Sequence, residues 1–219
     1  DIFVIADNCK DHTADVARKA GAIVYERFNQ EEVGKGFALE WMFRQLFALD
    51  RQYDAVAIFD ADNLVHPDFL KEMNNRFCKG ERLKNPNDSW VSGTFAINFW
   101  IVNHVWHLAK YTIGLSSVFG GTGMVIATEV LKKYGWKATC LTEDMEFTMK
   151  CLLEGIPTTW CQDAIIYDEK PQTFKASWNQ RKRWAQGQFD VAGRYMGKLL
   201  KEGIRKRDIV ILDGVIDVF

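Results

Sequence analysis

Two carboxylates separated by a single residue, Asp60 and Asp62 in the run Phe59-Asp60-Ala61-Asp62-Asn63, follow directly on an apolar stretch at 55–59. Side chains at i and i+2 of an extended segment point the same way, so this pair can converge on one hard divalent cation. A cation held there would bridge diphosphate oxygens and neutralise the charge that develops on a leaving nucleotide. The plain alternative is an acidic pair that caps the next helix.

A further carboxylate lies in Leu141-Thr142-Glu143-Asp144, just ahead of a helical run at 145–153. The free N–H groups and dipole of a helix amino end keep a carboxylate ionised, which gives Asp144 the character of a general base for a hydroxyl. Helix capping also accounts for Thr-Glu-Asp at such a position. In Gln180-Arg181-Lys182-Arg183-Trp184, helical spacing puts 180, 183 and 184 on one face and turns Arg181 and Lys182 elsewhere. An amide, a guanidinium and an indole presented together can grip a diphosphate through Arg183 and stack a sugar ring on Trp184. Packing with a snorkelling charge is the bland reading.

Two weaker features fit the same chemistry. Gly34-Lys35-Gly36 opens a helix, where N–H groups and the Lys35 ammonium suit an anion, and Asp7 in Asp7-Asn8-Cys9 can accept from a nucleobase N–H. Both are also ordinary turn sequences. His12, His66, His104 and His107 are dispersed and read as structural.

Positioning such groups requires strands that end together. Apolar runs at 2–6, 22–25 and 55–59 alternate with helical patterns at 13–20 and 37–49. This βαβ rhythm predicts an α/β domain with a mostly parallel sheet and ligands at the carboxyl ends of its strands. The polar segment 78–88 reads as a surface loop. Gly120-Gly121-Thr122-Gly123 opens a further strand at 124–127, and helices are expected at 143–154 and 175–200. The nearly uncharged stretch 89–109 carries Asn98, Asn103, His104 and His107, a polar density that suits a buried or interfacial helix better than a span. At the end, the basic cluster Lys201, Arg205, Lys206 and Arg207 precedes an apolar run broken by Asp208, Asp213 and Asp217. That order suits the cytosolic face of a membrane, and equally a solvated helix end.

At 219 residues with 47% hydrophobic content, the chain can bury one substantial core, so a single domain is the default. A net charge of -1 without aromatic and cationic interleaving sets nucleic acid aside as a partner. Five dispersed cysteines without a CxxC pair indicate neither zinc nor a disulfide framework, and reduced thiols on the cytosolic side are expected. The chain starts at Asp1 and runs straight into an apolar strand, which reads as an excised piece of a longer protein.

Taken in order, Asp7-Asn8-Cys9, Lys35-Gly36, Asp60-Ala61-Asp62, Gly121-Thr122-Gly123, Thr142-Glu143-Asp144 and Gln180-Arg181-Lys182-Arg183-Trp184 resemble the family 2 glycosyltransferases. The similarity is greatest to the branch of cellulose, chitin, hyaluronan and poly-N-acetylglucosamine synthases, and it covers nearly the whole chain. The stretch Glu169-Lys170-Pro171 looks like the corresponding part of these enzymes. The resemblance implies a GT-A fold, a UDP-sugar donor, Mg²⁺ or Mn²⁺, a carbohydrate or lipid-linked acceptor, and inversion by a single displacement.

Carried over by motif, Asp7 would contact the base, Lys35 the diphosphate, Asp60 the nucleotide and Asp62, with Asp60, the metal. Asp144 would deprotonate the acceptor, Gln180 and Arg183 would hold the donor diphosphate, and Trp184, Glu143 and Gly123 would hold the acceptor. Residues up to about 90 would form the nucleotide-sugar part, about 91–200 the acceptor part, and 201–219 a membrane-proximal segment. The resemblance also implies that the first strand of the fold and the membrane helices lie outside this chain. It places the domain at the cytoplasmic face of the cell membrane, in the synthesis of a cell-surface or extracellular polysaccharide.

Two other readings stand beside it. A nucleotidyltransferase would use a similar sheet and acidic pair but release pyrophosphate, and it leaves Asp144, Gln180, Arg183 and Trp184 without a role. A non-catalytic nucleotide-sugar sensor would keep the pocket, yet every ionisable residue that catalysis needs is present.

Overall fold

A computed structural model describes residues 1–75, 80–83 and 88–218, with residues 75 and 80–83 described by their backbone. In chain order the elements are β1 (Phe3–Asp7), α1 (Thr13–Lys19), β2 (Ile23–Arg27), α2 (Lys35–Phe47), β3 (Ala55–Ile58), β4 (Leu64–Val65), α3 (Phe69–Asn75) and β5 (Gly80–Leu83). There follow α4 (Trp90–Ile101), a π-helical turn (Val102–His107), α5 (Leu108–Thr112), β6 (Met124–Ala127), α6 (Thr128–Tyr134), α7 (Glu143–Leu153), β7 (Ile165–Asp168), α8 (Phe174–Lys206) and α9 (Ile209–Asp217). The chain divides into two compact units, Asp1–Asp54 with Ala127–Thr139, and Ala55–Ile126 with Cys140–Phe219.

In the first unit β1 and β2 pair in parallel, from Phe3 opposite Ile23 to Asp7 opposite Arg27. Helix α2 is amphipathic, and its residues Ala38, Leu39, Met42, Phe43 and Leu46 recur at helical spacing and are buried. Phe43 meets the buried indole of Trp136 edge to face, with ring centroids 5.9 Å apart.

The second unit carries two sheets, β3 beside β6 and the order β4-β7-β5. Strand β4 runs antiparallel to β7, and β5 runs parallel to it. One core lies under β7, where Phe69, Met73, Cys161, Ala164 and Ile166 close together. Another joins α7, α8 and α9 through Met149, Leu152, Val191, Tyr195, Leu199, Ile211 and Val218. At these burials each large apolar side chain contributes about 1.5–3 kcal/mol relative to exposure.

The segment 78–88, expected as a loop, contains a strand. Gly80–Leu83 forms β5 because β7 offers it a complete parallel ladder, and pairing overrides the weak strand propensity of Gly-Glu-Arg-Leu. Cys78 and the rest of 78–79 and 84–87 lie outside the described residues. The other four cysteines are free thiols.

The last long helix starts one residue earlier than expected, capped by Thr173, and runs on to Lys206 before Arg207 turns left-handed at φ 52°. In the stretch 89–109, Ser89 and Ser92 form a capping box at the start of α4. His104 and His107 serve as packing groups there, stacked on Trp100 and Trp160 with centroids 5.1 and 4.8 Å apart. Among the described residues no helix is long and apolar enough to cross a membrane. Of the apolar run near the chain end, Ile211 and Val218 are buried in the core while Ile209 and Ile216 are exposed.

Candidate active site

The acidic pair sits in the turn after β3, as the sequence requires. Asp60 and Asp62 both have exposed side chains, while the backbone that carries them is tied from below. The Asp60 N–H donates to Thr122 Oγ1 at 3.0 Å, and the same hydroxyl donates to Asn63 Oδ1. Asn63 Nδ2 in turn donates to Asp168 Oδ1 at 2.9 Å and lies 3.3 Å from Asp62 Oδ1. Asp168 is ion-paired with Lys170, both are buried, and the Lys170 ammonium lies 4.2 Å from the centroid of the Phe99 ring. A buried polar network with every member engaged holds its parts rigidly. This one fixes the turn and leaves its carboxylates at the surface.

Thr122 belongs to the Gly121-Thr122-Gly123 turn that enters β6. Gly121 has φ +80°, and a Cβ built there would come 3.3 Å from Asp144 Oδ2. A glycine is therefore required both by the left-handed backbone and by the approach of the carboxylate. Asp144, in the first turn of α7, accepts from the Met145 N–H at 2.8 Å, and Thr148 Oγ1 accepts from the Phe119 N–H while donating to the Asp144 carbonyl. Glu143 and Gly123 are buried on either side of this junction.

Helix α8 approaches the same place. A Cβ at Gly187 would lie 2.6 Å from Thr142 Cγ2 and 2.9 Å from the Thr142 backbone nitrogen. A glycine inside a helix costs about 1 kcal/mol relative to alanine, and here it permits α8 to touch the residue that precedes α7. Gln180, Arg183, Trp184 and Gly187 share one face by helical spacing, and Gly187 is the member of it that meets Thr142. Thr142 Oγ1 and Gln180 Oε1 are buried atoms without a hydrogen-bond partner among the described residues. Orphaned buried polar atoms cost about 1–3 kcal/mol each and accumulate where a ligand completes the bonding.

Two side chains of the Gln180–Trp184 run meet one aromatic ring. Trp184 is half-buried and packs edge-on against Phe95 at 6.1 Å, and Arg181 lies over that same ring at 4.4 Å. Residues three apart on a helix are neighbours, so Arg181 reaches round to the ring that Trp184 touches. Arg183 is exposed.

The α7–α8 junction is pinned from beneath by Glu146, a buried carboxylate that the motifs do not mark. It accepts from the Cys140 N–H and from the Tyr195 hydroxyl, each at 3.0 Å, with Lys150 and Arg194 at ion-pair distance. Burial, reinforced by the Glu146 charge, pushes the Tyr195 hydroxyl up, so it stays a donor. Burial also pushes the Cys151 thiol up to about 12 and raises Cys140, so neither is a thiolate nucleophile at neutral pH.

In the first unit Asp7 is held by Arg27, whose Nη1 donates to Asp7 Oδ1 at 2.8 Å. Arg27 is itself buried, with Nη2 on the Glu32 carbonyl at 2.8 Å. The Asn8 amide bridges to the backbone of Asn29 in both directions at 2.9 Å. Lys35 is the first residue of α2, directly after Gly34.

The donor set suits a divalent cation that arrives with a diphosphate. Among the described residues no three His, Cys, Asp or Glu side chains gather as a cage. Two exposed carboxylates are what Mg²⁺ or Mn²⁺ uses when phosphate oxygens and water supply the remaining ligands. Asp60 and Asp62 would hold it.

Glu146, Asp168 and Gly187 escaped the reading of the sequence, and Asn63 and Thr122 stand in its motifs without a role. A signal existed for Gly187, which continues the 180-183-184 face by one turn, and for Asn63, which abuts the acidic pair.

The architecture has a counterpart among solved structures. A mannosyltransferase from Pyrobaculum calidifontis, solved with GDP-mannose and Mn²⁺, superposes with a TM-score of 0.62 at 18% identity over 89% of this chain and 54% of its own. The fold is therefore the GT-A-like glycosyltransferase fold. Residues 1–187 match the profile described as glycosyltransferase-like family 2, and the chain belongs to that family. Similar curated proteins include a β-monoglucosyldiacylglycerol synthase of Trichormus variabilis, 26% identical over 94% of this chain and 46% of the relative. A poly-β-1,6-N-acetyl-D-glucosamine synthase of Staphylococcus epidermidis is 26% identical over 92% of this chain and 50% of the relative. The chain spans about half the length of the curated relatives it matches.

Proposed function

We propose that this domain moves a sugar from a nucleoside diphosphate donor, with UDP as the expected nucleoside diphosphate, to an acceptor hydroxyl with inversion at the anomeric carbon. The observation that carries the reading is a chain of contacts within one compact unit: Asp60 to Thr122, Gly121 to Asp144, and Thr142 to Gly187. It joins an acidic pair, a base and a helix face bearing Gln180, Arg183 and Trp184. Membership of the family supports a transferase over a nucleotidyltransferase or a sensor.

In this reading Asp144 takes the proton of the acceptor hydroxyl as its oxygen attacks C1 of the donor sugar. The bond from C1 to the diphosphate oxygen breaks, and the nucleoside diphosphate leaves with that electron pair. Gln180 and Arg183 orient the diphosphate, and Asp60 binds the nucleotide and, with Asp62, the cation. A bound Mg²⁺ or Mn²⁺ supplies charge neutralisation on the leaving group. By motif, Asp7, steadied by Arg27, would serve the nucleobase and Lys35 the diphosphate. Trp184, with Glu143 and Gly123, receives the acceptor.

The acceptor is proposed to be a growing cell-surface or extracellular polysaccharide at the cytoplasmic face of the membrane, in line with the name of the staphylococcal relative. A lipid acceptor is the second reading, favoured by the name of the cyanobacterial one. The test is nucleoside diphosphate release from a panel of UDP- and GDP-sugars with Mn²⁺ or Mg²⁺, run beside Asp144→Asn. Release from one donor that disappears in the variant is expected. Release of pyrophosphate, or full turnover by the variant, would overturn the assignment.

A further inference from the structure

Asp168 and Lys170 form a buried ion pair to which the transfer reaction gives no part. Both oxygens of Asp168 are committed: Oδ2 accepts from the Lys170 ammonium, and Oδ1 accepts from Asn63 Nδ2 at 2.9 Å. The same ammonium lies 4.2 Å from the centroid of the Phe99 ring. A pair buried to this degree is weak evidence of stabilisation, because desolvation of the two charges offsets their attraction. Its placement is more informative. Asn63 links it to the turn that carries Asp60 and Asp62, and all of these residues belong to the second compact unit.

The side-chain amide of Asn63 is engaged at every group it offers. An amide has one acceptor oxygen and two N–H donors on its nitrogen. The oxygen accepts from the Thr122 hydroxyl, which in turn accepts from the Asp60 N–H at 3.0 Å. The nitrogen faces two carboxylate oxygens, Asp168 Oδ1 at 2.9 Å and Asp62 Oδ1 at 3.3 Å. A carboxylate only accepts, so the orientation of the amide is fixed: turned over, it would set its own oxygen against both acids. An aspartate at this position would do the same with a full charge. Asn63 thereby reaches both members of the acidic pair, Asp62 directly and Asp60 through Thr122. Contact with one oxygen of Asp62 sets the direction of that carboxylate, which matters for a small divalent cation that demands near-octahedral geometry.

We propose that Asn63 is a positioning residue for the cation-binding pair, and that the buried Asp168–Lys170 ion pair sets cation affinity through it. The inference rests on the reading of Asp60 and Asp62 as cation ligands. Asp168 is not a third ligand in this arrangement, since protein donors take both its oxygens. Its work is to hold the Asn63 amide, while Lys170 holds Asp168. Ligands fixed in advance by their outer partners lose less freedom when the cation arrives, and this preorganisation raises affinity.

The test is binding of UDP and of GDP by the 219-residue chain, titrated with Mn²⁺ and repeated in EDTA, with Asp62→Asn as the reference variant. Wild type should bind nucleotide in a Mn²⁺-dependent way that Asp62→Asn weakens. Asn63→Ala should raise the Mn²⁺ concentration for half-maximal binding by about tenfold, as loss of an outer partner of a metal ligand does, and leave binding in EDTA unchanged. Asp168→Asn should shift the Mn²⁺ requirement in the same direction. The double variant should be no weaker than Asn63→Ala alone, because the amide through which Asp168 acts is already gone. Circular dichroism checks that each variant folds; if Asp168→Asn does not, Asn63→Ala decides, its side chain being only half-buried. A folded Asn63→Ala with the Mn²⁺ requirement of wild type would overturn the proposal and leave the roles of Asp60 and Asp62 standing. So would shifts that add in the double variant, or equal losses in Mn²⁺ and in EDTA, which mark a merely structural role. Absence of Mn²⁺-dependent nucleotide binding in wild type would overturn both.

Discussion

Asp60 and Asp62, and Asp213 and Asp217, are both pairs of aspartates at close spacing, and the protein uses them in opposite ways. The first pair sits on a turn with its side chains exposed and its backbone anchored through Thr122 and Asn63. The second lies at i and i+4 on α9 and closes on Lys110, whose Nζ is 2.6 Å from each carboxylate. Lys110 and Asp217 are buried, and burial pushes the Asp217 carboxyl up even though Lys110 pulls the other way. A buried acid closed on a buried cation is structural. One exposed on a rigid turn can take a cation with a ligand.

The largest expected effect falls on the reacting side of this contrast. Asp144→Asn keeps the shape of the α7 start and removes the base, so turnover should fall by about 10²–10⁴-fold while nucleotide binding persists. Single-turnover assays beside nucleotide titration separate the two, and loss of both together would assign Asp144 to binding.

Lys110→Met tests the closed pair. It leaves the buried Asp217 and the partly buried Asp213 without this cation, so denaturant unfolding should show a loss of about 3–5 kcal/mol at neutral pH. A carboxyl whose folded value is raised binds more protons folded than unfolded, so its contribution is present in acid and lost as pH rises through the folded value. The deficit of the variant should therefore shrink toward acid pH. An equal deficit at both ends would mean that Lys110 acts by packing alone.

Asp62→Asn addresses the exposed pair. Divalent-dependent nucleotide affinity should drop by about tenfold or more, with unfolding unchanged, because the side chain is exposed. Should the affinity of wild type prove the same with and without Mn²⁺, the role given to Asp60 and Asp62 fails. Gly187→Ala forces a methyl group against Thr142, which should cost about 1–3 kcal/mol in stability and lower turnover by displacing Arg183. The smallest change is Tyr195→Phe, which deletes one hydrogen bond to Glu146 and should lower stability by about 1 kcal/mol.

How much of this was legible in the sequence varies by residue. The strands and helices that bear Asp7, Lys35, Asp60 and Asp144 follow from apolar periodicity and lie within a few residues of expectation. Strand β5 did not, because a polar tetrapeptide becomes a strand only when β7 is beside it. The stack of Arg181 and Trp184 on Phe95 joins residues far apart in the chain, and spacing along α8 carries no information about that partner.

The sequence by itself determined the types of group available for chemistry and the local elements that carry them, because helical and strand periods are properties of neighbouring residues. Only the tertiary structure decided which acids are buried and which are exposed. That choice rests on contacts such as Asn63 with Asp168, Gly121 with Asp144 and Lys110 with Asp217, which join residues distant in the chain and which no local period encodes.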